Sequence, residues 1–304
     1  MLAERRSYRF PDDYEDVGKF LVRSYALTVN GPHRNWLQPR WEYMHYHPEI
    51  YEMEADLARC RLWFADGDIV GAVHFESRLG IVYLQLDPAY ADLKAEMLRH
   101  AEESLFGEFK IGKALHVYLD DDDTEWQAIA SSLGFAKLAR DQAEVTSCLR
   151  FDDLPDEIPV SKGFEILGLD EDDDVRKVHR VMHRGFNHEG EPPEDGLEDR
   201  RRKLSAPNLR KDLTVVAREP NGAFVSFCGM WMDPTNRVSY VEPVATDPDY
   251  RRLGLGTAVV LEGVRRCAAE GAKVAYVGSD QEFYKTMGFT ECQVQSLWRK
   301  ALPS

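Results

Sequence analysis

"YVEPVATDPDYRRLGLGTAVVLEG" (residues 240–263) joins a strand-like apolar run to a helix-like one through an Asp-Pro turn and two closely spaced glycines. An earlier stretch, "DPAYADLKAEML" (87–98), repeats the frame without the glycines. Thr246-Asp247-Pro248-Asp249-Tyr250 aligns with Leu86-Asp87-Pro88-Ala89-Tyr90 at an offset of 160 residues. Where the later copy has Arg251, Gly254 and Gly256, the earlier one has Ala91, Lys94 and Glu96.

Working outward from the two copies, the whole chain reads as a duplication. Each half opens with a short strand ("SYRF" near 7–10, "GFEIL" near 163–167) and continues through helical stretches to a pair of strands around a turn. The turn residues are Asp66-Gly67 and Asn221-Gly222, the pairs that hairpins favour. A further strand then leads into each aligned passage, and each passage into an amphipathic helix. Val260, Val264 and Cys267 form one apolar stripe, with Gly271 as a helix stop; Leu93, Met97, Ala101 and Leu105 form the other. A strand, a short helix ending in Leu-Gly-Phe (133–135) or Met-Gly-Phe (287–289), and a last strand close each half. The expected domains are 1–150 and 163–304, joined by a proline-containing acidic linker over 151–162.

Composition narrows the function. The chain of 304 residues has a formal net charge of −15, which disfavours nucleic acid and anionic lipid as partners and attracts cationic small molecules. The N-terminal "MLAERRSYRF" has no apolar signal core, no run is long enough to span a membrane, and the five scattered cysteines never fall in CxxC spacing. A cytoplasmic protein without a disulfide framework is expected. The acidic runs at 119–125 and 169–174 read as solvated turns or helix N-termini rather than metal sites. His179 and His183, one helical turn apart, read as packed or solvated, and no metal is expected. Cys228 and Cys267 sit in apolar patterns and read as core.

A strand, a glycine-rich turn and a helix N-terminus together make an anion site, because free backbone N–H groups and the positive helix end face one point. The dinucleotide fingerprint fails, since Val259 stands at its third glycine, and no Gly-Lys-Ser/Thr follows to make a Walker loop. What remains is Arg-x-x-Gly-x-Gly at Arg251, Gly254 and Gly256. With "DQEFYKTMGF" (280–289) one helix and one strand later, the passage resembles the GNAT superfamily of acyl-CoA-dependent N-acetyltransferases. The first stretch is similar to that family's pyrophosphate loop and the second to its Phe-Tyr-x-x-x-Gly-Phe segment. The fold class the resemblance implies is α/β: two tandem GNAT-like domains, each a mixed, mostly antiparallel sheet flanked by helices.

The resemblance also implies a site. The loop amides of Arg252, Leu253, Gly254, Leu255, Gly256 and Thr257 would receive the pyrophosphate of acetyl-CoA, the cosubstrate, with Arg251 as the motif residue and the Arg252 side chain as a further cationic contact. The pantetheine arm would pair with Val244, Ala245 and Thr246, and Phe283 would touch the cofactor. Pro243, which has no N–H, requires either a bulge that splays two strands or a place on a sheet edge, and both readings stay open.

Tyr284 occupies the general-acid position, with simple packing on the cofactor as its other reading. Glu242 reads as a base or as a structural carboxylate, and Tyr240, on the same strand face, as a substrate contact with His183, Asn187 and His188. The acceptor would be a primary amine of a small molecule or peptide, and the acidic surface suits a cationic one. The alternative is a non-catalytic acyl-CoA-binding sensor. A monomer fits, because tandem halves can pack as a dimer would. The first half, with Lys94 and Glu96 in the loop and Ala130 opposite Tyr284, has lost the cofactor; Glu96 is expected to aim its carboxylate at the pyrophosphate position.

Overall fold

The protein is described by a computed structural model over residues 4–154 and 157–301, so Pro155 and Asp156 of the expected linker lie outside the described residues. The first elements are β1 (Glu4–Ser7), α1 (Tyr14–Thr28), α2 (Gln38–His45), α3 (Pro48–Glu52), α4 (Glu54–Leu57), β2 (Arg61–Ala65), β3 (Asp68–Phe75) and β4 (Ile81–Leu86). They continue with α5 (Lys94–Ser104), β5 (Gly107–Phe109), β6 (Gly112–Asp120), α6 (Thr124–Ser132), β7 (Ala136–Lys137) and β8 (Glu144–Arg150). The second series is β9 (Glu165–Gly168), α7 (Val175–Gly185), α8 (Gly196–Lys203), β10 (Val215–Arg218), β11 (Phe224–Asp233) and β12 (Val238–Thr246). It closes with α9 (Leu255–Ala269), β13 (Val274–Val277), α10 (Glu282–Lys285) and β14 (Thr290–Ala301).

These elements form two compact units, residues 1–145 with 293–304 and residues 146–292. In the first unit the strand order is β1-β2-β3-β4-β6-β14; in the second it is β9-β10-β11-β12-β13-β8. Among the described residues the β4–β6 and β12–β13 pairs are parallel and the other pairs described are antiparallel. Each unit is thus a mixed, mostly antiparallel sheet flanked by helices. The last strand of each half has crossed over: β14 pairs with β6 from Gln295–Asp120 to Ala301–Ala114, and β8 pairs with β13 from Val274–Arg150 to Val277–Ser147. The units therefore differ from the contiguous domains read from the repeat by one strand each. Alternation of apolar residues marks a strand but carries no information about which sheet edge receives it.

Local chemistry explains most of the elements. Asp66 and Gly67 both take positive φ (53° and 90°), making the two-residue hairpin turn expected. Asn221-Gly222 differs: only Gly222 is left-handed, and Glu219 N–H donates to the Ala223 carbonyl at 3.0 Å, so the turn has three residues between the paired ends. Asp123 and Asp174 cap α6 and α7, accepting from Trp126 N and Arg176 N at 2.9 Å. The run at 119–125 is less solvated than its composition suggests, since Asp120 and Asp123 are buried. Gly271 (φ 92°) ends α9, and Ala272 N–H closes onto the Cys267 carbonyl at 3.0 Å.

In the second unit α9 covers one face of the sheet, with Val259, Val260, Val264 and Cys267 packed among Val225, Cys228 and Met230. On α7, Val178, Val181 and Met182 belong to a separate cluster with Val216, Phe224 and Phe227. With helices on both sides, β11 is buried along its whole length.

Candidate active site

The site begins where two strands part. β12 and β13 pair at Val238–Val274, Ser239–Ala275 and Tyr240–Tyr276, and the register ends there, while β12 runs on to Thr246 along β11. Just past that point the β11–β12 register shifts: Cys228 faces Val244 and Met230 faces Val241, so Glu242 and Pro243 together stand opposite Gly229. Pro243 therefore sits in a bulge of the β11–β12 pair, at the point where β13 has already left the other side of β12. The bulge is held from both sides. The Trp231 indole N–H donates to the Glu242 carbonyl at 2.7 Å. A Cβ on Gly229 would lie 2.3 Å from that same carbonyl oxygen, so only glycine fits. Gly229→Ala is expected to cost about 1–3 kcal/mol of stability by overpacking and to displace β12. Chemical denaturation checks the first effect, and an unchanged midpoint would show that the bulge tolerates a side chain.

Beyond the bulge the backbone of β12 faces an opening. Asp247 N–H donates to the Val225 carbonyl at 3.0 Å. By antiparallel alternation the N–H and C=O groups of Thr246 and Val244 point the other way, into the gap that β13 leaves. Next comes the loop. Arg252 and Gly254 take positive φ (63° and 76°) and α9 starts at Leu255. The amides of Leu255, Gly256 and Thr257 have no partner within the helix and stand at its positive end.

The two glycines serve different purposes. A Cβ on Gly254 would meet nothing within 4 Å, so the left-handed turn demands glycine there and leaves open space above it. A Cβ on Gly256 would lie 3.1 Å from Thr246 Oγ1 and 3.2 Å from Phe283 Cζ, so that glycine lets the helix start close onto β12 and α10.

Together these elements line a cleft of about 590 Å³. Of the residues read from sequence, Val244, Ala245, Thr246, Arg251, Arg252 and Gly254 line it, as do Leu255, Gly256, Thr257, Phe283 and Tyr284. Leu253 belongs to the loop but not to the lining, and its side chain is exposed. The two arginines divide their tasks. Arg251 braces the strand end, donating from Nε to the Thr246 carbonyl (3.1 Å) and from a terminal nitrogen to the Gly185 carbonyl (2.9 Å). The exposed Arg252 side chain makes no ion pair or hydrogen bond among the described residues. Asp247, fully buried, accepts Arg180 at 3.3 Å and lies 3.5 Å from Arg184, which ties α7 to the same strand end.

Tyr284 stands on α10 at the cleft wall, its ring edge-on to Phe283 and Phe289. Among the described residues its hydroxyl has no hydrogen-bond partner. Burial pushes its pKa well above the usual phenol range, with smaller contributions from Cys228 and Glu242, so the hydroxyl holds its proton at all ordinary pH values. Glu242 is half-buried in the bulge, and its charge acts on both Tyr284 and Cys228. Neither Glu242 nor Tyr240 lines the cleft; Tyr240 is buried, with its hydroxyl close to Gly278.

His183 on α7 and Asn187 and His188 just beyond it, read as substrate contacts, are likewise absent from the lining. Asn187 (φ 65°) closes the helix, His183 meets the Glu189 carbonyl at 3.2 Å, and the His183 and His188 rings stack at 4.9 Å. Sequence reading missed Gly185, Tyr250 and Gln281, which do line the cleft. A Cβ on Gly185 would lie 2.6 Å from Ala245 Cβ, so this glycine lets the end of α7 lie against β12. A glycine after "VHRVMH" was the available signal. Among the described residues no cluster of His, Cys, Asp or Glu is arranged for a metal ion, and no helix is long and apolar enough to cross a membrane.

Comparison with known proteins agrees with this geometry. Residues 175–289 match the model of the Acetyltransferase (GNAT) family, so this part of the chain is a GNAT domain. Over nearly the whole chain the fold is similar to those of solved GNAT structures. One is the tandem GNAT protein from the clavulanic acid biosynthesis pathway, at 16% identity and a TM-score of 0.62, covering 99% of both chains. Another is the GCN5-related N-acetyltransferase from Sphaerobacter thermophilus, at 15% identity and a TM-score of 0.60, covering 98% of this chain and 95% of that one. No curated protein matches the chain by sequence.

Proposed function

We infer that the second unit transfers an acetyl group from acetyl-CoA directly to a primary amine of a small molecule or peptide. The observation that carries this reading is the meeting, in one cleft, of an outward-facing strand backbone, a helix N-terminus and a protonated, unpartnered phenol. The donor fits these residues by chemistry. Its phosphates suit the amides of Leu255–Thr257 and the Arg252 guanidinium. Its amide-bearing arm suits the outward N–H and C=O of Val244 and the outward N–H of Thr246, whose carbonyl already accepts from Arg251. When bound, it supplies a thioester carbonyl.

The chain's own residues do the rest. Tyr284 holds a proton for the departing thiolate. Glu242, behind the cleft lining at the bulge that Trp231 holds in place, would take a proton from the amine through an intervening water. A covalent route through Cys228 is disfavoured, because burial first, then Cys267 and Glu242, raise its thiol pKa well above the usual range. The cytoplasm, the compartment read from composition, supplies the donor.

The test is thiol release from acetyl-CoA measured over a panel of primary amines, cationic ones included. Turnover with at least one amine is expected. Tight CoA binding with no turnover on any amine would instead favour a sensor of acyl-CoA.

A further inference from the structure

The first unit has the same parting of strands, but something is in it. β4 and β6 pair in parallel only at Ile81–His116 and Val82–Val117, then run on separately to Leu86 and Asp120. On the far side of β4, Asp87 N–H donates to the Val70 carbonyl at 2.8 Å. Alternation therefore turns the N–H and C=O of Leu86 into the gap, as it turns those of Thr246, the residue aligned with Leu86, into the cleft of the second unit.

In the first unit these two groups are taken by one side chain. Leu86 N–H donates to Asn35 Oδ1 at 2.8 Å, and Asn35 Nδ2 donates back to the Leu86 carbonyl at 3.1 Å. A residue of an added strand would make this pair of bonds with its backbone. The buried Asn35 is itself held by Ser24 Oγ at 2.9 Å. The neighbouring residues continue the bridge. Trp36 N–H donates to Gln85 Oε1 on β4 at 2.7 Å, and Arg34 N–H donates to Asp120 Oδ2 at the end of β6 at 3.2 Å. The segment 33–36 is therefore tied to both parted strands.

The loop position is closed as well. Lys94, aligned with Gly254, buries its ammonium against Asp123 (3.0 and 3.1 Å) and Glu125 (2.7 Å) at the start of α6. A pyrophosphate arriving there would meet two carboxylates. Glu96 takes no part, contrary to the reading from sequence: it accepts from Arg5 at 2.7 Å and from the Trp63 indole at 3.0 Å.

We propose that residues 33–36 are a built-in substitute for the amide-bearing arm of acyl-CoA, so that the first unit is closed to the cofactor by its own chain and each protein molecule takes one acyl-CoA. Opening the gap would strip buried partners from Leu86, Gln85 and Asp120 at once, which makes the closure permanent rather than a gate. The analogy with the arm rests on the acyl-CoA reading of the second unit; the closure itself is a property of the free protein.

Amide hydrogen exchange on the full chain, resolved by residue, tests the closure without any ligand. In the free protein the Leu86 amide should exchange about 10²-fold or more slowly than the Val244 amide, which faces the cleft. Equal rates would overturn the proposal. Adding CoA should slow Val244 and leave Leu86 unchanged, and calorimetry should find one CoA per chain. A second equivalent that slows Leu86 would also overturn it. If no CoA binds while Leu86 stays slow, the acyl-CoA reading of the second unit fails and the closure of the first stands. Asn35→Ala should speed exchange at Leu86 by about tenfold or more with Val244 unaffected, and no change at Leu86 would count against the closure. Should that variant unfold, the comparison in the unaltered protein still decides.

Discussion

Gly254→Glu should lose CoA binding while the fold survives. The argument has two separable parts. Gly254 is left-handed at φ 76°, and a non-glycine residue there costs about 1–2 kcal/mol. A Cβ would nevertheless meet nothing within 4 Å, so the helix still forms. The carboxylate adds the larger effect. It would stand in the open space above the helix start, beside the unpartnered amides that suit a pyrophosphate. Like charges brought together at an interface cost several kcal/mol, and each 1.4 kcal/mol is about a tenfold loss of affinity. CoA affinity should fall by roughly 10²-fold or more, whereas Gly254→Ala, which carries only the strain, should fall far less. Calorimetry on both variants separates the terms, with circular dichroism confirming the fold. Wild-type affinity in Gly254→Glu would mean that CoA binds elsewhere.

Tyr284→Phe should lower kcat by roughly 10²-fold, the low end of the usual range for a positioned acid, with little change in acetyl-CoA affinity. The low end is expected because burial raises the phenol pKa above its ordinary value, so it holds its proton more tightly than a thiol of pKa about 8.5 does. Its main service is then a hydrogen bond to the sulfur as charge develops, a contribution confined to the transition state. The ring contacts with Phe283 and Phe289 survive the change, so cofactor packing should too. The raised pKa also sets a pH expectation. Because the neutral phenol is the working form, the wild-type rate should show no loss from Tyr284 ionisation up to pH about 10. A single-turnover rate equal to wild type across that range would remove Tyr284 from the chemistry.

The order of elements, the duplication and the loop could all be read from residues 240–289 and their echo at 87–98, because these features are local. Turn chemistry and apolar period act over a few residues, so the sequence alone placed the Asp66-Gly67 hairpin and the apolar stripe of α9, although the Asn221-Gly222 turn closes over three residues. It determined that Gly254 and Gly256 must be small, but not that one answers to φ and the other to Phe283 and Thr246. It could not choose between a bulge and an edge for Pro243, since that depends on which strand lies beside it. Nor could it show that β8 and β14 change places, that Gly185 joins the cleft, or that Arg251 braces the strand end. For the lost site it pointed to Lys94 and Glu96, while the tertiary structure adds Asn35, more than 50 residues away along the chain from Leu86. Partners so distant in sequence meet only when the sheet has formed. An asparagine that replaces a strand looks, in the sequence, like any other polar residue in a loop.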